Sequence, residues 1–408
     1  MASVKPSNKS FIEETPRAKT PFLARTYGGF TSEQESFYRA HLRSARNQTI
    51  LDPMGGQGFT LSKLAHEGSH LWLGDINPGP LHLAMLRDPR LLNQSTSLAS
   101  WFRSWVRPFQ KNKRAAVLEY VDDWIAPQIR DALNVYVEKL SLEADLTPFS
   151  YASKFWSLPI NLRFAACLPV LAARSLTCFR GSDNVTWLKK GGLLRQSNIY
   201  DALMQALDLW CRFAEQTVAK SARSPLGAIS VRRMNAEKGL FGEAPLADLI
   251  ITSPPYANRL DYTRMWAPEL EVLAAMWKES SSEIKSTQIG STVVEGKHVL
   301  SKEEMQLPKT IRQSLFDIRN DADWKASESY YYPFFRNYAI SMMRSLKQIE
   351  TKLLPGGTLV VFVRDTVRKD IMFPTAELVQ SVLVRSSKMK LLRAEKKVVR
   401  THVGLLRK

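Results

Sequence analysis

The chain has 408 residues, 44% of them hydrophobic, with 57 Lys and Arg against 39 Asp and Glu, a formal charge of +18. This composition excludes a disordered or fibrous protein, and no run of about 18 apolar residues is present to span a bilayer. Cys167, Cys178 and Cys211 form neither a CxxC pair nor a Cys/His cluster, so a disulfide framework and a zinc site are not expected, and a reducing cytosol fits.

Residues 1–20 are polar and rich in Lys and Pro; they read as a loose arm and lack the apolar stretch of a signal peptide. Thr49–Asp52 reads as a short buried strand entering the turn Pro53-Met54-Gly55-Gly56-Gln57-Gly58. A helix is expected over 59–68, then a second strand, HLWLG at 70–74, ending at Asp75. Strand, glycine turn, helix and strand with an acid at its tip open a doubly wound α/β sheet. From about 81 the period changes to helical, as in Ile129, Leu133, Val137 and Leu140, or Ile199, Leu203, Leu207 and Trp210. Residues 81–225 carry 19 basic and 12 acidic side chains and six of the ten tryptophans, and read as a helical insertion. Strands are expected again at 228–234 and 247–252, the latter running into Ser253-Pro254-Pro255-Tyr256. Residues 279–328 are polar and read as a surface excursion; a helix follows over 333–353, then a tight turn at 354–357 and a strand at 358–363. The domain reading is therefore 1–80 and 226–384 forming the sheet domain, 81–225 inserted, and 385–408 a basic tail with nine basic residues and one acid. The positive excess predicts a polyanionic partner, against the plainer alternative of a basic soluble enzyme.

The glycine turn lets backbone approach a ligand, although such turns also follow strands for purely structural reasons. Asp75 stands where a carboxylate accepts both hydroxyls of a ribose; a helix N-cap, suggested by Asn77-Pro78, is the alternative. The spacing is not GxGxxG, which favours S-adenosylmethionine over a dinucleotide. Ser253-Pro254-Pro255-Tyr256 lies at the carboxyl edge of the sheet. Two prolines remove two N–H donors and leave carbonyl acceptors facing the cleft. An exocyclic amine needs such acceptors, because its lone pair is delocalised into the ring. Hydrogen bonds to Ser253 Oγ and the Pro254 carbonyl would draw that nitrogen toward sp3, and Tyr256 would stack on an extruded base. A rigid strand-end turn is the bland reading. No Pro-Cys nucleophile is present, so covalent attack on a ring carbon is not supported.

DPMGGQG (52–58) and DLIITSPPY (248–256) resemble two motifs of the amino-methylating DNA methyltransferases. The serine resembles the N4-cytosine branch, and ANRLDYTR (257–264) is similar to enzymes of type II restriction-modification systems. The resemblance covers roughly 20–80 and 228–380. It implies a Rossmann-like sheet binding S-adenosylmethionine, a flipped cytosine in double-stranded DNA, a cytoplasmic, nucleoid-associated protein and a restriction endonuclease acting separately. It sets Asp52, Pro53, Met54, Gly55, Gly58, Asp75, Ile76 and Asn235 against the cofactor and makes Ser253, Pro254, Pro255 and Tyr256 the catalytic turn. Direct transfer of this kind needs no metal. Met54 departs from the usual phenylalanine. Asn235 departs from an acid that meets the adenine amine, and a plain turn explains it equally well.

Thr20-Pro21-Phe22 and Arg25 to Gly29 fall where the family covers the methionine end of the cofactor, with an ordinary loop as the alternative. Asp261, Tyr262 and Arg264 are candidates to orient the catalytic turn or touch phosphate, with helix-surface pairing as the alternative. In 81–225, Trp101, Arg103, Trp105, Arg107, Lys111, Lys113 and Arg114 suggest phosphate contact beside groove insertion, against tryptophans in a core. The 279–328 segment competes as the recognition element. Adenine N6, an RNA exocyclic amine, or a DNA-binding protein that kept the cleft without catalysis are the rival functions.

Overall fold

The computed structural model describes residues 32–40, 47–59, 61–112, 120–145, 155–181, 188–194, 198–221, 227–293, 302–321, 325–368, 370–385 and 389–395. Five strands build the central sheet: β1 (Thr49–Asp52), β2 (His70–Asp75), β3 (Ala228–Arg233), β4 (Ala247–Thr252) and β5 (Leu353–Val361). Their order is β3-β2-β1-β4-β5 and every pairing is parallel. The architecture is α/β and compatible with a Rossmann-like fold. The order reverses between β1 and β4, which opens the crevice where ligands of such sheets bind. Asp52 pairs with Leu73 and Asp75 with Arg233, so these acids and the turn after Thr252 all emerge at one carboxyl edge.

Strands buried on both faces read as continuous apolar runs. Ile50, Leu249 and Ile251 join the larger core, whereas Leu51 and Ile250 join a smaller cluster on the opposite face. The larger core also takes residues of α3 (Pro78–Met85), α4 (Ser95–Val106), α5 (Pro127–Ala144), α6 (Ile160–Leu171), α7 (Ile199–Ser221) and α8 (Ala267–Trp277). Two short helices precede these, α1 (Ser32–Arg39) and α2 (Ser62–His66), the latter shorter than the helix expected over 59–68. The other face is covered by α9 (Lys309–Asn320), α10 (Tyr332–Glu350) and α11 (Thr375–Arg385) around Tyr338, Phe373 and Leu378.

The 78–221 helices therefore share one core with the sheet. Ile129, Leu133, Val137 and Leu140 are all buried, as are Ile199, Leu203, Leu207 and Trp210. The segment is also fastened by an ion pair, Arg174 Nε to Glu269 Oε1 at 3.2 Å, with Glu269 only 2% exposed. Trp105 is buried, its Nε1 donating to Glu143 and its ring edge-on to Tyr136 at 5.0 Å. It is core, and the expected groove insertion by this side chain does not occur. Lys113 and Arg114 lie outside the described residues, as do Thr20 to Gly29 and most of the tail.

Two further expectations change. Leu354 to Gly357, expected as a turn before the last strand, is a bulge within β5: Ala247 pairs with Leu353, but Leu249 pairs with Thr358. Gly357 permits it, because a Cβ there would lie 2.9 Å from the Leu354 carbonyl and 3.0 Å from that of Asp248. The 279–328 segment is only partly a surface excursion. Its Ser281–Thr287 helix leads to a stretch that reaches the functional cleft, and α9 buries Ile311, Leu315 and Ile318.

Candidate functional site

A cavity of about 230 Å3 lies over the carboxyl ends of β1, β2 and β4. It is lined by the 52–59 turn, by Asp75 and Ile76, by Asn235, and by the whole Ser253 to Tyr256 turn. All twelve site residues proposed from the sequence meet there, although the two motifs are separated by almost 200 positions.

The glycine turn is held by backbone contacts. Gly55 N–H donates to the Gly74 carbonyl at 2.8 Å and Gly56 N–H to Asp75 Oδ2 at 3.0 Å. Gly55 and Gly58 are required by packing on β2, since a Cβ would come within 2.2 and 2.6 Å of Leu73. Gly56 is different: at φ +53° it has open space around it, so the turn presents bare backbone at that point. Asp75 is not the helix cap, because Asn77 Oδ1 accepts from Gly79 N–H and caps α3. Asp75 Oδ1 accepts from Asn77 N–H at 2.8 Å. With the backbone N–H groups of Asn77, Gly56 and Ile76 acting on it, the carboxylate keeps a lone pair for a ligand hydroxyl.

Burial pushes the Asp75 carboxyl up to about 6 and that of Asp52 up to about 7; Met54 N–H, donating to Asp52 at 3.1 Å, opposes the latter shift. Both acids bind protons more tightly in the fold than in the unfolded chain. Their favourable contribution to stability is present below about pH 4 and disappears as pH rises through 6 to 7. Asp52→Asn should consequently raise stability at pH 8, by on the order of 2–4 kcal/mol, and change it little at about pH 3.5, below the unfolded-state range of the acid. Urea unfolding at the two pH values checks this; an equal effect at both would remove the buried acid as its cause.

At the second turn, Ser253 Oγ lies 3.3 Å from the Phe362 carbonyl, to which it donates, and 3.2 Å from Tyr256 Oη. With its proton on Phe362 and the tyrosine hydroxyl donating to it, Ser253 Oγ retains one lone pair as an acceptor. The Tyr338 hydroxyl donates to the Pro255 carbonyl at 3.0 Å, and Tyr256 N–H to Tyr262 Oη at 3.4 Å. Tyr262 thus bonds to the Ser-Pro-Pro-Tyr turn. Asp261 instead caps the following short helix and pairs with Lys285 at 2.7 Å, while Arg264 Nε donates to the Leu188 carbonyl. Asn235 Oδ1 accepts from Lys238 N–H at 3.1 Å, which is the plain-turn role. The nearby acid Glu237 also lines the cavity, paired with Arg344 at 2.8 Å.

Among the cavity residues that the sequence reading missed are two glutamines with unsatisfied side chains. Gln57 is 6% exposed, and neither its Nε2 nor its Oε1 has a hydrogen-bond partner among the described residues; Gln288 is 8% exposed, and its Nε2 likewise has none there. A buried polar atom left unsatisfied costs about 1–3 kcal/mol, so such atoms around a cavity are positions for a bound ligand or ordered water to bond. Only the unexplained glutamine inside a glycine turn could have signalled the first; nothing local marks the second.

Compared with known proteins, the chain matches no family model, no curated protein and no solved structure.

Proposed function

We propose that the chain is an S-adenosylmethionine-dependent methyltransferase that methylates an exocyclic amine of a base flipped out of double-stranded DNA, with cytosine N4 as the target. The observation that carries this reading is the meeting of the glycine turn, Asp75 and the Ser-Pro-Pro-Tyr turn at one cavity, at the point where the strand order reverses. The residues present fit the cofactor. Bare backbone at Gly56 and the Asp75 carboxylate suit a ribose, and the unsatisfied amide of Gln57 offers a donor and an acceptor to a polar ligand end. When bound, the cofactor supplies an electrophilic methyl group.

The chain's own contribution is to hold the amine. Ser253 Oγ accepts one amine N–H, which localises the lone pair on nitrogen for in-line attack. Tyr256, anchored through its hydroxyl and its N–H, supplies a ring for base stacking. Three exposed cations support a polyanionic partner: Arg180 faces Lys189 across a two-residue ladder that includes Lys190, and neighbouring Leu188 accepts from Arg264. Adenine N6 is the second reading, since both bases present an amine beside a ring nitrogen. A restriction endonuclease acting separately is a further partner this reading carries.

Nucleoside analysis of DNA from cells expressing the protein tests the proposal. N4-methylcytosine is expected; N6-methyladenine alone would transfer the activity to adenine, and no modified base would refute it. Asp75→Ala should weaken S-adenosylhomocysteine binding about 10- to 100-fold while the chain stays folded, through loss of charge-assisted bonds worth roughly 1.5–3 kcal/mol. Unchanged affinity by calorimetry would remove Asp75 from the cofactor site.

A further inference from the structure

Resting on the reading of the cavity as a methyltransferase site, we infer that Gln288 pairs with the target base, its Nε2 donating to the ring nitrogen beside the reacting amine. Gln288 follows the Ser281–Thr287 helix, whose N-terminus is capped by Ser280 Oγ accepting from Glu283 N–H at 3.2 Å. Lys285 on that helix is bound to Asp261 at 2.7 Å, which ties the segment to the chain just after the catalytic turn. Two residues beyond Gln288, Gly290 adopts φ +73°, and a Cβ there would lie 3.7 Å from the Tyr256 carbonyl oxygen. Thr287, Gln288 and Ile289 thus line the same cavity as Tyr256, and the chain leaving them passes the Tyr256 carbonyl at Gly290. Gln288 is more than nine-tenths buried, and its Nε2 has no partner among the described residues.

A donor at this wall complements an amidine edge, meaning an exocyclic amine next to a ring-nitrogen acceptor. Cytosine has that edge at N4 and N3, and adenine at N6 and N1. Thymine carries a carbonyl and a ring N–H there, so the same amide would oppose its N–H and leave two donors facing each other. Ser253 and Gln288 together would then read the amine and its neighbour. The 279–328 segment contributes in this way to choice of the reacting base, whatever reads the flanking duplex.

The test uses the full chain, unmethylated double-stranded DNA and S-adenosylmethionine carrying a labelled methyl group. Gln288→Ala and Gln288→Met, the second of which keeps the side-chain length without the donor, should each lower turnover at saturating DNA by at least roughly tenfold. The KM for DNA and S-adenosylhomocysteine affinity should stay within about twofold, because the contact forms only after base extrusion. Digests identify the base, and either cytosine or adenine agrees with the shared edge. Wild-type turnover in Gln288→Met would show a packing role and overturn the inference, as would loss of S-adenosylhomocysteine affinity in either variant. If the wild-type chain binds S-adenosylhomocysteine but methylates no DNA, the substrate reading fails, and the Gln288 assignment fails with it.

Discussion

Ser253→Ala is expected to lower turnover by roughly 30- to 1000-fold, or about 2–4 kcal/mol of transition-state stabilisation, with S-adenosylhomocysteine affinity nearly unchanged. The hydroxyl sits between the Phe362 carbonyl and the Tyr256 hydroxyl, so its free lone pair has a defined direction. An acceptor so oriented strengthens its bond as the amine gains positive charge, which makes the effect fall on kcat rather than on cofactor binding. Single-turnover methyl transfer alongside calorimetry separates the two. A variant that binds S-adenosylhomocysteine and transfers methyl at the wild-type rate would exclude Ser253 from the chemistry. Tyr256 also loses its hydroxyl partner in this variant, so a Ser253→Thr chain, retaining the acceptor, should recover part of the rate.

Arg174→Ala is expected to destabilise the fold by about 3 kcal/mol. Glu269 is 2% exposed, and Arg174, at 20% side-chain exposure, is its cationic partner. Removing one member of such a pair strands a buried charge, with costs near the lower end of the range for buried pairs because Arg174 is partly solvated. Arg174 also donates to the Met265 carbonyl, in the cavity wall, so loosening should reach the site. Burial already raises the Glu269 carboxyl, and without Arg174 it rises further. Protonation then relieves the stranded charge, so the deficit should shrink as pH is lowered from 8 toward 5. Urea unfolding at several pH values checks this; a deficit independent of pH would point to lost packing by the arginine stem instead.

Much of the sheet and the site was already legible in the linear chain. TILD, HLWLG and ADLIIT are local apolar runs bounded by turn residues, and they became β1, β2 and β4. The glycine turn, Asp75 and Ser-Pro-Pro-Tyr follow those strands directly. A parallel sheet puts every strand's carboxyl end on one edge, so knowing the strands nearly suffices to bring these residues together. The periodic helices of 81–225 were equally readable, because a 3.6-residue period is a property of neighbours in sequence.

Tertiary structure decided what each buried face meets. Periodicity marks Leu133 as facing something, and composition marks Trp105 as an aromatic among basic residues, but neither distinguishes core from nucleic-acid groove; packing against Tyr136 and the shared core made Trp105 interior. The glycines at 55 and 58 serve the approach of Leu73, a side chain on another strand. Gln288 lines the cavity in a segment that the Lys285–Asp261 pair ties to the chain after the Ser-Pro-Pro-Tyr turn. The sequence by itself thus determined the strands, their turns and the edge on which the chemistry gathers, since these depend on contiguous residues. Which polar groups line that edge, and which helices lock onto the sheet, depended on contacts between residues far apart in the chain, such as Lys285 with Asp261 and Arg174 with Glu269, whose energies no local pattern encodes.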